Sequence, residues 1–119
     1  MRKNYQMIAL IAFLSPAVAM AVNLLSTRDL PVHHMTEEDR GILMVATVDT
    51  LERNRDGEVA RWENPKTGAH GDLTPRVSFE RDGRPCRDLE VANSARGHDN
   101  RLVITMCKQA DGEWKIEPQ

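Results

Sequence analysis

Two cysteines, Cys86 and Cys107, are all that this 119-residue chain contains. They do not form a Cys-x-x-Cys motif, which argues against a redox-active dithiol. Neither lies near the N-terminus, which excludes lipid attachment through an N-terminal cysteine. A basic excess is also missing. The formal net charge is -2, and the twelve Arg and four Lys alternate with acids instead of clustering. Nucleic-acid binding calls for a concentrated positive footprint, so that class is excluded. No Gly-x-Ser-x-Gly nucleophile motif occurs. Internal repeats and low-complexity tracts are absent too, which removes solenoid and linker-type architectures.

What is present begins with a hydrophobic segment. Arg2 and Lys3 precede an uncharged stretch rich in Ile, Leu, Ala and Val from Met7 to Val22, interrupted by Pro16. Ala19-Met20-Ala21 places small residues at the −3 and −1 positions of a cut before Val22, the pattern of a secretory signal. Pro16 would break a helix ahead of that cut. The competing reading is an uncleaved anchor, because residues 4–27 carry no charge and could cross a hydrocarbon core of ~30 Å at ~1.5 Å per residue. With the positive residues held in the cytoplasm, either reading delivers the rest of the chain to the outside. All eighteen acids lie beyond position 21; setting aside Arg2 and Lys3 leaves fourteen basic residues, a net of −4 for the exported part.

The expected division is residues 1–22 as signal peptide or membrane anchor, 23–35 as an aperiodic linker, and 36–119 as one domain. A domain of about 80 residues gains only marginal stability from hydrophobic burial, so a covalent staple would help. Thr36-Glu37-Glu38-Asp39 supplies an N-cap and three acids for the positive end of a helix dipole. A helix is expected over Glu37–Arg53, stopped by Asn54 and Gly57. The run Ile42-Leu43-Met44-Val45 is apolar nearly all round a helix axis, and a buried strand is its alternative reading.

From Glu58 the texture changes to short alternating runs between Gly- and Asp-containing turns, as in an antiparallel meander. The expected strands are Glu58–Glu63, His70–Glu80, Pro85–Asn93, Arg101–Lys108 and a short run at Trp114-Lys115-Ile116. Leu73, Val77 and Phe79 should share a face, with Pro75 marking an edge or a bulge. Leu102, Ile104 and Met106 should likewise share a face. Residues 95–100 read as a loop. The expected fold class is α+β, one N-terminal helix packed on a curved four- to five-stranded antiparallel sheet, with Trp62, Phe79 and Trp114 in the core. A hairpin centred on residues 97–98 would set Cys86 opposite about position 109, so a bulge or small shift would bring it opposite Cys107. In an oxidising compartment the two are expected to pair.

The motifs Trp62-Glu63-Asn64-Pro65-Lys66-Thr67-Gly68-Ala69-His70-Gly71, Thr74-Pro75, Gly83-Arg84-Pro85-Cys86-Arg87 and Cys107-Lys108-Gln109-Ala110-Asp111-Gly112-Glu113-Trp114 follow in order. Together they resemble the C-terminal domain of the seventeen-kilodalton outer-membrane surface antigen family, over roughly residues 36–117. The family pattern is W-x-N-P-x-[ST]-G-x-x-G, G-x-x-C-R and C-x-x-x-D-G-x-W. It singles out Trp62, Asn64, Gly68, Gly71, Gly83, Arg87, Asp111, Gly112 and Trp114 beside the two cysteines. Many members carry a lipidated Cys and a glycine-zipper segment. This chain has neither, which leaves inner-membrane or soluble periplasmic placement open. The motif residues also read as structural: glycines for turns, tryptophans for the core, cysteines for a staple.

Three functional classes follow. The first is a non-enzymatic exported envelope protein, an interaction or accessory module facing the periplasm or cell surface and a small subunit of a membrane complex, with an envelope or membrane protein as partner and no cofactor. The second is a periplasmic binding protein for a small apolar ligand held between helix and sheet, or a small hydrolase using His70 or His98 with Asp72 or Asp99 for acid–base work. The third is metal binding through His33-His34. Adjacent histidines in an extended segment point to opposite sides, and no further ligand spacing supports a site.

Overall fold

The computed structural model describes residues 29–118. The signal or anchor expected at residues 1–22, and the first part of the expected linker, lie outside the described residues. Among the described residues, no helix is long and apolar enough to cross a membrane.

One helix, α1 (Glu37–Arg53), precedes five strands: β1 (Ala60–Glu63), β2 (His70–Arg81), β3 (Arg84–Ala95), β4 (His98–Lys108) and β5 (Trp114–Glu117). The strands form one antiparallel meander in sequence order, curved, with α1 packed on one face. The α+β class holds, and the sheet has five strands.

Local chemistry sets the bounds of α1. Thr36 Oγ1 accepts from the Asp39 N–H at 3.0 Å, and Asp39 Oδ2 accepts from the Thr36 N–H at 2.9 Å, which closes a capping box. Asn54 ends the helix by leaving helical dihedrals while its N–H still donates to the Thr50 carbonyl. Leu51 and Thr50 are buried against the sheet, and Ile42, Leu43 and Ala46 pack beside them. The opposite face of α1 carries an uncovered apolar patch, with Met44 at 68% and Val45 at 72% exposure, bordered by the charged side chains of Asp49, Glu52 and Arg53.

Two tight turns connect the central strands. Asp82 and Gly83 both have positive φ, and so do Arg96 and Gly97. Two-residue hairpin loops of this hand match the natural twist of paired strands. The loop expected at residues 95–100 is therefore only Arg96-Gly97, with Ala95 paired directly to His98. An arginine at positive φ is an uncommon turn residue, so the sequence carries no Asn-Gly-type signal there. The shorter turn moves the hairpin register, and Cys86 pairs directly with Cys107 without a bulge. Their disulfide has a Cα–Cα distance of 4.0 Å, in keeping with a closely spaced, non-hydrogen-bonded cross-strand pair.

Pro75 is both at an edge and beside a bulge. The β2–β3 register shifts between Pro75 and Val77. Beyond the end of β1, the Pro75 carbonyl faces outward and accepts from the Gly57 N–H at 2.6 Å. The bulge corrects the expected shared face of Leu73, Val77 and Phe79. An extra residue reverses the alternation, so Leu73 is fully buried under α1 while Val77 and Phe79 pair with Asp88 and Cys86 on the other face. Phe79 thus leaves the expected core.

The core is Met35, Leu51, Trp62, Ala69, Leu73, Leu89, Val91, Ala95 and Met106, with Ile104 and Trp114 packed at its margin. Burying each large aliphatic side chain contributes ~1.5–3 kcal/mol. Leu102 shares the face of Ile104 and Met106 as expected, but is itself exposed. The C-terminal part of the expected linker forms a short 3-10 helix, Pro31–His34. Pro31 and Met35 are buried, which ties this segment to the domain.

Candidate functional site

The residues singled out by the sequence motifs serve two structural roles: some fasten α1 to the sheet, and the others shape its turns or staple its strands. Asn64 is 2% exposed and sits between the two layers. Its side-chain oxygen accepts from the Lys66 N–H at 3.1 Å, which shapes an Asx turn. Its amide nitrogen donates to Asp39 Oδ1 at 2.7 Å, and Thr67 Oγ1 donates to the same oxygen at 2.7 Å. The Asn64 backbone completes the loop by bonding to Ala69, Thr67 and Gly68. The loop following β1 is therefore locked onto the capping box of α1. Desolvation at this buried position pushes the Asp39 carboxyl up. Its hydrogen bonds from Thr67, Thr36 and Asn64 outweigh that and hold it below the usual Asp range.

Trp62 lies under α1 and donates from Nε1 to Asn93 Oδ1 at 3.0 Å, reaching across β2. Gly71 is the residue between them, paired with Trp62 on one side and Asn93 on the other. A Cβ there would come within 2.5 Å of Asn93 Oδ1 and 2.6 Å of Trp62 Nε1, and closer still to the Ala92 carbonyl oxygen. Only glycine leaves room for the indole.

Arg87 performs the matching role at the other end of α1. Its guanidinium donates to the Leu51 carbonyl at 2.8 Å and the Thr50 carbonyl at 3.4 Å, satisfying acceptors in the last turn. The same group bonds Asp56 at 2.8 Å and Ser78 at 2.9 Å. Those bonds from Arg87 and Ser78 hold the Asp56 carboxyl below its ordinary range. Trp114 donates to Glu52 Oε1 at 2.9 Å, and Lys108 pairs with the same oxygen at 2.9 Å. The Glu52 carboxyl is lowered by Lys108 first and then by Trp114. Asp111 and Gly112 shape the β4–β5 turn: Asp111 Oδ1 accepts from the Glu113 N–H, and the Gly112 N–H bonds the Gln109 carbonyl. Gly83 makes the β2–β3 turn described above.

Every motif position thus has a structural duty, and a family comparison bears on the same residues. The sequence model of the family described as 17 kDa outer membrane surface antigen matches residues 49–115. The chain belongs to this family.

The chain is 29% identical over 83 residues to the 17 kDa surface antigen of Rickettsia bellii (strain RML369-C), covering 69% of this chain and 52% of that protein. It is 30% identical over 81 residues to the 17 kDa surface antigen of Rickettsia prowazekii (strain Madrid E), covering 67% of this chain and 51% of the relative. It therefore spans about half the length of these surface antigens. No solved structure matches the chain.

Three of the four acid–base candidates share a groove, and His98 lies apart from it. His70, Asp72 and Asp99 line one shallow open groove with Ser94, Asn100 and Arg101, on the sheet face away from α1. His70 bonds the Gly68 carbonyl at 2.9 Å, inside its own turn, and bonds none of these neighbours. Asp72 pairs with Arg61 at 3.6 Å. His98 stacks on His34 with ring centroids 3.7 Å apart. Among the described residues, no group of three or more His, Cys, Asp or Glu is placed to hold a metal ion, and His33-His34 gains no third ligand.

Sequence reasoning missed Asp39, Glu52, Asp56 and Asn93 as partners of the motif. Asp39 carried a signal, since it is three residues after Thr36 in a capping box. The others become visible only once the chain is folded.

Proposed function

We propose that this protein is a non-enzymatic exported envelope domain, an interaction or accessory module at the periplasmic face or cell surface and a small subunit of a membrane assembly. One observation carries the reading. The family's motif residues hold a single helix rigidly on a sheet, and the outward face of that helix presents Met44, Val45 and Val48 at 68%, 72% and 43% exposure. Exposed apolar side chains contiguous on one helix are what a docking surface requires. The Cys86–Cys107 bridge suits an oxidising compartment. The signal-like N-terminus and relatives named surface antigens support the same address.

An enclosed apolar ligand site has less support, because Leu51, Trp62, Leu73 and Leu89 fill the space between helix and sheet at 3% exposure or less. The test is to compare the native and Met44→Asp/Val48→Asp proteins in membrane extracts separated under native conditions. The proposal expects the native chain in a larger assembly and the variant released from it with its fold and disulfide intact. A native chain that migrates alone, or a variant that stays in the assembly, overturns it.

A further inference from the structure

The sheet has two free edges, β1 and β5, and an open edge invites pairing with another strand. The alternation of hydrogen bonds shows which groups β1 leaves open. Asn64 donates to the Ala69 carbonyl, so Trp62 and Ala60, two and four residues back, also bond toward β2. Arg61 and Glu63 therefore turn their N–H and C=O groups outward. Their side chains share the sheet face away from α1, and both are exposed.

We propose that β1 pairs with β1 of a second copy of this chain, antiparallel and centred on Trp62. That register sets Arg61 opposite the second copy's Glu63 twice, by symmetry. Both members of each pair have outward backbone groups, so the two pairs form four main-chain hydrogen bonds. Opposite charges face each other across the join. Natural edges are protected by like charges, which repel in such a pair; here the signs at the two outward positions are self-complementary. Glu63 forms no ion pair among the described residues, and the Arg61–Asp72 separation of 3.6 Å leaves the guanidinium donors for a closer partner.

The surroundings supply apolar area. A groove lined by Gly41, Ile42, Val45 and Ala46 of α1, together with Glu38 and Asp49, runs beside Arg61, Trp62 and Glu63 on this same edge. The other edge is unsuited to the arrangement. Gln109 donates to the Glu113 carbonyl, so alternation turns Trp114 and Ile116 outward and puts Lys115 at the centre of the matching pair. Two lysines would then meet on the symmetry axis.

This inference does not depend on the envelope reading, and its test is separate. The full chain, in mild non-ionic detergent, is sedimented over a range of concentrations as the native protein, Arg61→Glu, Glu63→Arg, and the double variant Arg61→Glu/Glu63→Arg. The expected result is a dimer weakened about tenfold or more by either single change and restored by the double change. Amide exchange at Arg61 and Glu63 should slow on dimerisation and quicken again in the single variants. Circular dichroism and the intact disulfide establish that each variant is folded. A monomer at every concentration overturns the proposal. So does a dimer indifferent to the single changes, or one that the double change fails to restore.

Discussion

Replacing Gly71 with alanine tests the packing of the motif where it is tightest. Gly71 has no positive φ, so the backbone itself accepts alanine, and any loss of stability comes from contact. The added Cβ would meet Asn93 Oδ1 at 2.5 Å, Trp62 Nε1 at 2.6 Å and the Ala92 carbonyl at less than either. The carbonyl belongs to the β3 backbone and cannot rotate away. Either the strands separate or the Trp62–Asn93 bond breaks. Overpacking of this kind costs ~1–3 kcal/mol, and the lost hydrogen bond adds ~0.5–1.5 kcal/mol. The expected loss is therefore about 2–4 kcal/mol, or roughly 10–25 °C in Tm for a domain of this size. Gly68 is the control: it has φ of 80° and open space around its missing Cβ. Gly68→Ala meets only the backbone penalty of ~1–2 kcal/mol. Urea and thermal unfolding of the oxidised proteins measure both. A Gly71→Ala variant within about 0.5 kcal/mol of the native protein would refute the close fit of the indole over this glycine.

Asp39→Ala should cost about 2–4 kcal/mol in urea unfolding, because it removes a cap and leaves buried Asn64 and Thr67 donors unpaired. The Asp39 carboxyl is lowered in the folded state, so its contribution is full above the unfolded pKa of ~3.9 and disappears as pH falls through the lower folded value. Unfolding titrations below about pH 4 should therefore show a shallower pH slope for Asp39→Asn than for the native protein. Arg87→Lys should loosen the end of α1, since one ammonium cannot serve Leu51, Asp56 and Ser78 together; faster amide exchange confined to the last turns checks it. Removing the bridge with Cys86→Ala/Cys107→Ala should lower stability by about 3 kcal/mol through the freed chain entropy, and unchanged unfolding would contradict its role as a staple.

The fold is legible in the sequence where local chemistry is decisive. Thr36 with Asp39, and Asn54 at the far end, bound α1 to the residue. Asp82-Gly83 and Asp111-Gly112 locate two of the turns. Legibility fails where one residue changes a register. Arg96 adopts positive φ without being a usual turn former, so the sequence suggests too long a β3–β4 turn and sets the cysteines two positions out of line. Pro75 signals a bulge, but not the consequence of that bulge for Val77 and Phe79. The motif positions are legible as structural, whereas their partners are not, because Asp39–Asn64 and Trp62–Asn93 join residues 25 and 31 apart in sequence. Nothing in local periodicity links such positions.

Export and stapling are tested together by the intact mass of the native protein from soluble and membrane fractions, with and without reductant. An exported, stapled domain predicts a chain that gains the mass of two hydrogen atoms on reduction, recovered either as a form beginning at Val22 or as the full chain in membranes. A form with free thiols before reduction would contradict both the staple and the oxidising address.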